Sequence, residues 1–161
     1  MRNSQPLLPA QRLSSDRITS EFGPRLDKLS YTHGPVALRV SIGIVFFWFG
    51  ALKCFPSVSP AETIAVDTLT TLTFGLIPTR TLAVGLAAFE IAIGICFVSG
   101  VYRKLALPLL IAHMVGTSLP FFMFPSQLFA DSPLVPTLLG QYILKNIIIL
   151  SAAIVLMRRW R

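Results

Sequence analysis

The chain has 161 residues, of which 53% are hydrophobic and 13% charged, with a mean hydropathy of +0.70. Soluble domains carry about 25% charged residues, so this composition excludes a water-covered globule and fits one integral membrane domain. The net charge of +7 and pI near 10.1 do not mark a nucleic-acid binder, because the basic residues stand at the edges of apolar segments and not along one face.

Met1 to Gly34 reads as a polar lead, with Arg2, Arg12, Arg17, Arg25 and Lys28 set against Asp16, Glu21 and Asp27. Ile18, Phe22, Leu26 and Leu29 recur at helical spacing, as in a segment lying on a bilayer surface, and a disordered tail is the alternative. Gly23-Pro24 is expected to interrupt any helix there.

Four apolar runs follow, and the expected architecture is all-α: an integral membrane four-helix bundle with an interfacial helix on its outer side. The domain boundaries are 1–34 for the lead and 35–161 for the membrane domain, with spans near 35–55, 80–100, 105–124 and 141–157. About 20 residues rising 1.5 Å each cover a hydrocarbon core of roughly 30 Å. Pro35 suits the start of the first span, which is too long for a signal-peptide core and is expected to act as an uncleaved anchor. In it Gly43, Phe46, Gly50 and Lys53 share a face, and the glycines should let another backbone come close.

Ser59, Pro60 and Glu62 form a capping box for the interfacial helix. Ala61, Ala65, Leu69 and Leu72 are expected on its apolar side, with Glu62, Asp67 and the threonines opposite, and Gly75 and Pro78 at its end. The second span centres on Glu90, with Ala83, Ala87 and Gly94 on the glutamate's face. The third holds His113, and Pro120 in it should leave the carbonyl of Gly116 free beside Thr117 and Ser118. The fourth carries Tyr142, Lys145 and Asn146, and it ends in Arg158-Arg159-Trp160-Arg161.

Charge distribution gives an expected orientation. Arg2, Arg12, Arg17, Arg25, Lys28, Arg39, Arg103, Lys104, Arg158, Arg159 and Arg161 gather on one side, against Lys53, Arg80 and Lys145 on the other. The positive-inside rule then puts both termini in the cytoplasm.

An ammonium inside a bilayer costs about 2.5–3.5 kcal/mol on insertion scales, so Lys145 calls for a partner or a wet cavity. Glu90 is the carboxylate placed to answer it, and a Glu90–Lys145 ion pair is expected. Helical rise puts Lys145 about 6 Å and Lys53 about 10 Å outward of a midplane through Glu90 and His113. The expected cluster is therefore Lys53, Glu90, His113, Thr117, Ser118, Tyr142, Lys145 and Asn146, facing the outer half of the membrane. Lys53 could instead extend its stem to the outer interface, the ion pair could be purely structural, and His113 could be an ordinary core histidine.

Other chemistries are not supported. Cys54 and Cys96 lie about 12 Å outward and about 9 Å inward, too far apart to bridge. His113 and His33 do not make a metal centre, and no phosphate loop or nucleophile elbow is present. Phe46, Phe47, Trp48 and Phe49 read as lipid-facing or core packing.

Three short stretches resemble the DoxX-like superfamily of small four-span membrane proteins. They are Arg39-Val40-Ser41-Ile42 leading to Phe49-Gly50-Ala51-Leu52-Lys53, then Phe89-Glu90-Ile91-Ala92-Ile93-Gly94, then Tyr142-Ile143-Leu144-Lys145-Asn146. The resemblance runs from about Pro35 to Met157. It is strongest to the YkgB-like branch of bacterial inner-membrane proteins linked to resistance against reactive chlorine, although the loop after Pro125 is shorter here. The resemblance implies either a membrane subunit of an oxidoreductase that hands electrons to quinone, or a cargo receptor or assembly chaperone.

The expected function is thus an inner-membrane protein whose outward polar pocket binds a small anionic or quinone-type ligand, in a redox or oxidative-stress complex. Lys53 and Lys145 would hold the ligand, Glu90 would position Lys145, and His113 is a candidate proton relay. No catalytic residue is assigned. Quinone is the candidate cofactor, none is covalently bound, and no metal is expected. The expected partners are the lipid bilayer, a membrane or soluble oxidoreductase and a second copy of the chain, with no nucleic acid. The alternative is a non-enzymatic scaffold or assembly factor in which the ion pair only fixes the fold.

Overall fold

Apolar stretches punctuated by proline, glycine and paired charges fold as helices, since a backbone in lipid must satisfy its own hydrogen bonds. The computed structural model describes residues 9–55, 62–130, 132 and 134–159, with side chains from Gly23 onward apart from Arg25 and Arg159. The described elements are helices α1 (Pro9–Leu52), α2 (Glu62–Leu72), α3 (Thr79–Ser99), α4 (Arg103–Gly116), α5 (Pro120–Met123), α6 (Pro125–Leu128), α7 (Leu138–Leu144) and α8 (Asn146–Arg159). There is no strand among them, only one antiparallel bridge between Phe129 and Pro136.

Four segments are long and apolar enough to cross a membrane: Leu26–Leu52, Thr79–Ser99, Arg103–Met123 and Leu138–Arg158. This is the all-α membrane bundle expected from the sequence, with altered edges. The fourth span starts at Leu138, before the expected Gln141, because Thr137 caps α7 by accepting from the Gly140 N–H at 3.1 Å.

The chain divides into two units, Met1–Ala37 and Leu38–Arg161. In the first, the helix passes through Gly23-Pro24 and through Pro35, where a break and a helix start were expected. Each proline removes one intrahelical hydrogen bond at about 3 kcal/mol in a helix interior. Pro24, Leu26, Leu29 and Tyr31 are exposed, so water or lipid headgroups can reach this stretch of backbone. The side chains of Ile18 and Phe22, half of the expected amphipathic face, lie outside the described residues, as do the expected Ser59-Pro60 cap and Ala61 before α2.

In the second unit the core is a layer of interlocking aliphatic and aromatic side chains from α1, α3, α4 and α8. It includes Ile42, Phe46, Ile93, Phe97, Leu110, Met114, Ala153 and Leu156. The glycine face of α1 does what its spacing predicts. A Cβ on Gly43 would meet the Val98 nitrogen at 2.7 Å, and one on Gly50 would meet the Ile91 nitrogen at 2.9 Å. From the other side, a Cβ on Gly94 would lie 2.8 Å from the Phe47 Cα. Helices α1 and α3 therefore touch backbone to backbone, the close approach that small residues permit in lipid.

At the end of α3, Arg39 donates to the carbonyls of Phe97 and Val98, the latter at 3.0 Å. A cation at a helix C-terminus meets both the unpaired carbonyls and the negative end of the macrodipole.

A second, smaller core lies toward the opposite end. Ile64, Leu128 and Ile143 are buried together, with Phe121, Phe124, Phe129 and Leu139 packed around them. It pins α2 against α5, α6 and α7. The buried face of α2 is Ile64, Val66 and Thr68, while Leu72 is exposed. That adds Ile64 and Val66 to the expected apolar residues and corrects the placement of Thr68, whereas Thr63 and Thr71 are exposed as expected. Thr68 turns inward because its Oγ1 donates to the Ile64 carbonyl at 2.6 Å, which spends the hydroxyl locally and leaves a methyl for packing. Gly75, at φ 71°, closes the turn after α2 by donating to the Thr70 carbonyl at 2.9 Å.

Candidate functional site

Gly50 brings α1 so close to α3 that its missing Cβ would sit 3.0 Å from the Glu90 Cβ. Lys53, three residues on, lies one turn further along the same face. Its chain curls into the bundle, and Nζ donates to Glu90 Oε2 at 2.6 Å. His113 Nε2 meets the other carboxylate oxygen, Oε1, at 3.2 Å. Lys53 is 8% exposed, Glu90 6% and His113 8%, so the three form one interior group. The rings of Phe46 and Phe89 flank the imidazole, with centroids 5.4 and 5.6 Å away.

The expected Glu90–Lys145 ion pair is therefore not formed: the counter-ion of Glu90 is Lys53. A flexible four-carbon stem lets Lys53 reach down to the level of Glu90, and a buried carboxylate hydrogen-bonded to a cation is far better satisfied than an unpaired one. Lys53 accordingly does not extend to the outer interface. Lys145 is exposed, and its side chain makes no hydrogen bond or ion pair among the described residues.

The triad forms part of the wall of a cavity of about 490 Å³. Phe46 and Phe49 from α1, Leu86 and Phe89 from α3, and Ala112 and Met114 from α4 give it apolar sides. Ile64, Ala65, Thr68, Leu69 and Leu72 of α2 also line it, and Thr117, Tyr142, Lys145 and Asn146 are its further polar lining residues. A volume of this size, apolar with a few convergent polar groups, is the usual form of a small-molecule site.

Two spans are interrupted beside this cavity. The third tightens into a hydrogen-bonded turn at Thr117–Leu119, between α4 and α5, and the fourth at Lys145, between α7 and α8. Thr117, Leu119 and Lys145 keep right-handed helical backbone angles. Asn146 Nδ2 donates to Thr117 Oγ1 at 3.0 Å and ties one break to the other. Interrupted helices at membrane depth are tolerated where they line a cavity or are buried in protein. The Gly116 carbonyl, expected to be free, accepts from Leu119 N–H at 3.1 Å, because Pro120 starts a new short helix instead of kinking a continuous one. The hydroxyls of Thr117 and Ser118 both donate to the Met114 carbonyl, at 3.1 and 2.8 Å. Ser118 is not part of the cavity wall; it closes the end of α4.

Of the eight residues singled out from the sequence, seven line the cavity and Ser118 does not. Within the lining, Lys53, Glu90 and His113 make one group and Thr117 and Asn146 another. The ring of Tyr142 stands edge-on to Phe49 at 5.8 Å. On α2 the expected apolar residues Ala65, Leu69 and Leu72 line the cavity, and Ile64 and Thr68 beside them were missed. The signal was present: Ile64 and Thr68 stand one turn apart, and a threonine that bonds its own helix behaves as an apolar residue. Cys54 and Cys96 are both free thiols, and no cluster of metal-ligating side chains occurs among the described residues.

A four-span helical bundle with an intramembrane charge group defines a class of small multi-pass membrane protein. Residues 34–124 match the DoxX family model, and the chain belongs to the DoxX family. No curated protein and no solved structure matches it.

Proposed function

We propose that this protein is a bacterial inner-membrane ligand-binding subunit whose cavity takes a small quinone-type or anionic molecule, within a redox or oxidative-stress complex of the YkgB-like type. The reading rests on one observation: the buried Lys53–Glu90–His113 group faces an apolar cavity of about 490 Å³ instead of being sealed in the packed core. Intramembrane ionisable residues are costly and mark functional sites by default. Lys53 can donate to a ligand oxygen, and Glu90 holds both the ammonium and the imidazole in place. His113 can pass a proton between the carboxylate and a bound ligand. The chain carries no redox group of its own, so electrons would come from a partner oxidoreductase in or on the membrane.

In this reading both termini are cytoplasmic and α2 roofs the cavity on the periplasmic side, with the excess of basic residues at the opposite end. Cys54, which is exposed, provides the test. In a Cys96→Ser background it should react with a membrane-impermeant maleimide in intact cells with a permeabilised outer membrane. Labelling only after the inner membrane is opened would reverse the assignment.

Purification in mild detergent followed by mass spectrometry of bound lipids, quinones and proteins tests the ligand. Lys53→Met with Glu90→Gln should fold and lose the co-purifying molecule. The scaffold reading is favoured by a different fact, that each oxygen of Glu90 already has its own internal partner. If the paired variant folds and keeps both cellular function and co-purifying proteins, the scaffold reading replaces the ligand one.

A further inference from the structure

The cavity has two polar stations of opposite character. At the first, Lys53, Glu90 and His113 compensate one another, so the group carries no net charge with a neutral imidazole. At the second, Lys145 stands at the α7–α8 break beside Asn146 and Tyr142, and no carboxylate answers it among the described residues. Lys145 lies seven residues into a candidate span that starts at Leu138, about 10 Å along a helical path. Lys145 is therefore an exposed cation lining a largely apolar chamber, set apart from the compensated triad and at a depth within the hydrocarbon zone. Asn146 is held in place by its bond to Thr117, so the break is built and not frayed. Across the chamber, the side of α2 bearing Ile64 and Leu69 offers an apolar surface with no charge of its own.

We infer that the occupant is a monoanionic amphiphile: one anionic head on Lys145 and one apolar chain laid against the inner side of α2. This deepens the ligand reading given above and rests on it, but it moves the anchoring residue from the buried triad to the uncompensated lysine. A fatty-acid carboxylate and the phosphate of an anionic phospholipid share this chemistry. A neutral quinone head does not, since it offers Lys145 a dipole but no charge. Tyr142 and Asn146 supply neutral donors around the head, and the apolar walls set the preference for a chain over a bare ion.

The test uses the full chain in nanodiscs of zwitterionic phosphatidylcholine, with retention of tritiated laurate measured against empty discs. Laurate should be retained by the wild type and displaced by unlabelled laurate, but not by acetate or dodecanol. Lys145→Gln should weaken retention about ten-fold, the value of one charge-assisted hydrogen bond, and Lys145→Arg should restore it. Displacement by dodecanol as good as by laurate, or unchanged retention in Lys145→Gln, overturns the inference. Competition from phosphatidylglycerol added to the discs would assign the head to a bilayer phosphate, and its absence to a free carboxylate. If a short-chain quinone binds wild type and Lys145→Gln alike while laurate does not bind, the anionic assignment falls and the cavity reading stands. If neither probe is retained above empty discs, both fall.

Discussion

The two ends of the membrane unit are built on different rules. Toward Arg39, α1 and α3 meet through Gly43 and Gly94, α4 and α8 close around Leu110 and Leu156, and side chains fill the interior. Toward α2, the third and fourth spans are interrupted, α2 lies across the opening, and a chamber remains between the helices. Continuous helices with small residues on facing sides approach until their backbones touch. Where the spans tighten into turns, Thr117, Lys145 and Asn146 stand on the wall of the chamber. The packed end holds the bundle together, so the other end can keep a cavity beside a charge group whose members must stay paired.

The largest effect should come from removing the centre of the charge group while leaving its lysine. Glu90→Leu strands the buried Lys53 ammonium and should cost about 3–5 kcal/mol, read as a lower thermal midpoint in detergent. Adding Lys53→Met should recover most of that loss. A double variant no more stable than the single one would mean that the triad and the packing around it cannot be separated.

Gly94→Val strikes the packed end. Its side chain would run into the Phe47 backbone, which cannot rotate away, and overpacking of this kind costs about 1–3 kcal/mol. Size-exclusion chromatography should show a loss of monodisperse protein, whereas Gly85→Val, at a position with no neighbour within 4 Å, should leave the profile unchanged.

A smaller effect is expected at the joint between the interrupted spans. Asn146→Ala removes one neutral hydrogen bond to Thr117, about 1 kcal/mol. A double-mutant cycle with Thr117→Val should give a coupling of the same size, and additive losses would show that the two breaks are not linked. Smallest of all, Lys145→Gln should leave the thermal midpoint of the unliganded protein unchanged, since Lys145 has no partner to lose among the described residues. A clear drop in stability would place Lys145 with the structural charges instead of the ligand.

Much of the packed end was legible because it depends on local pattern. The glycine spacing of α1, the small residues near Glu90 and the apolar lengths of the four spans each carry their structural meaning in the chain itself. The charge group was legible in membership but not in pairing. Depth from helical rise ranked Lys145 nearer to Glu90 than Lys53, and it took no account of a lysine side chain reaching back down the bundle. The place of Thr68 in the α2 lining was hidden for a related reason, since its burial depends on where its hydroxyl finds an acceptor. Pro120 misled in the opposite direction. A proline inside an apolar run reads as a kink with a free carbonyl, whereas here it begins a separate short helix.

The sequence by itself determined that this chain lives in a bilayer as four helical spans, because hydropathy, length and the need to satisfy backbone groups leave no other solution. It also singled out the ionisable residues that lie in or beside those spans. Only the tertiary structure decided that Lys53 and not Lys145 neutralises Glu90, and that the remaining lysine lines the same cavity without a side-chain partner among the described residues. Pairing depends on distances in three dimensions between side chains from separate helices. Those distances follow from how Gly50 lets α1 settle against α3, which no single segment encodes.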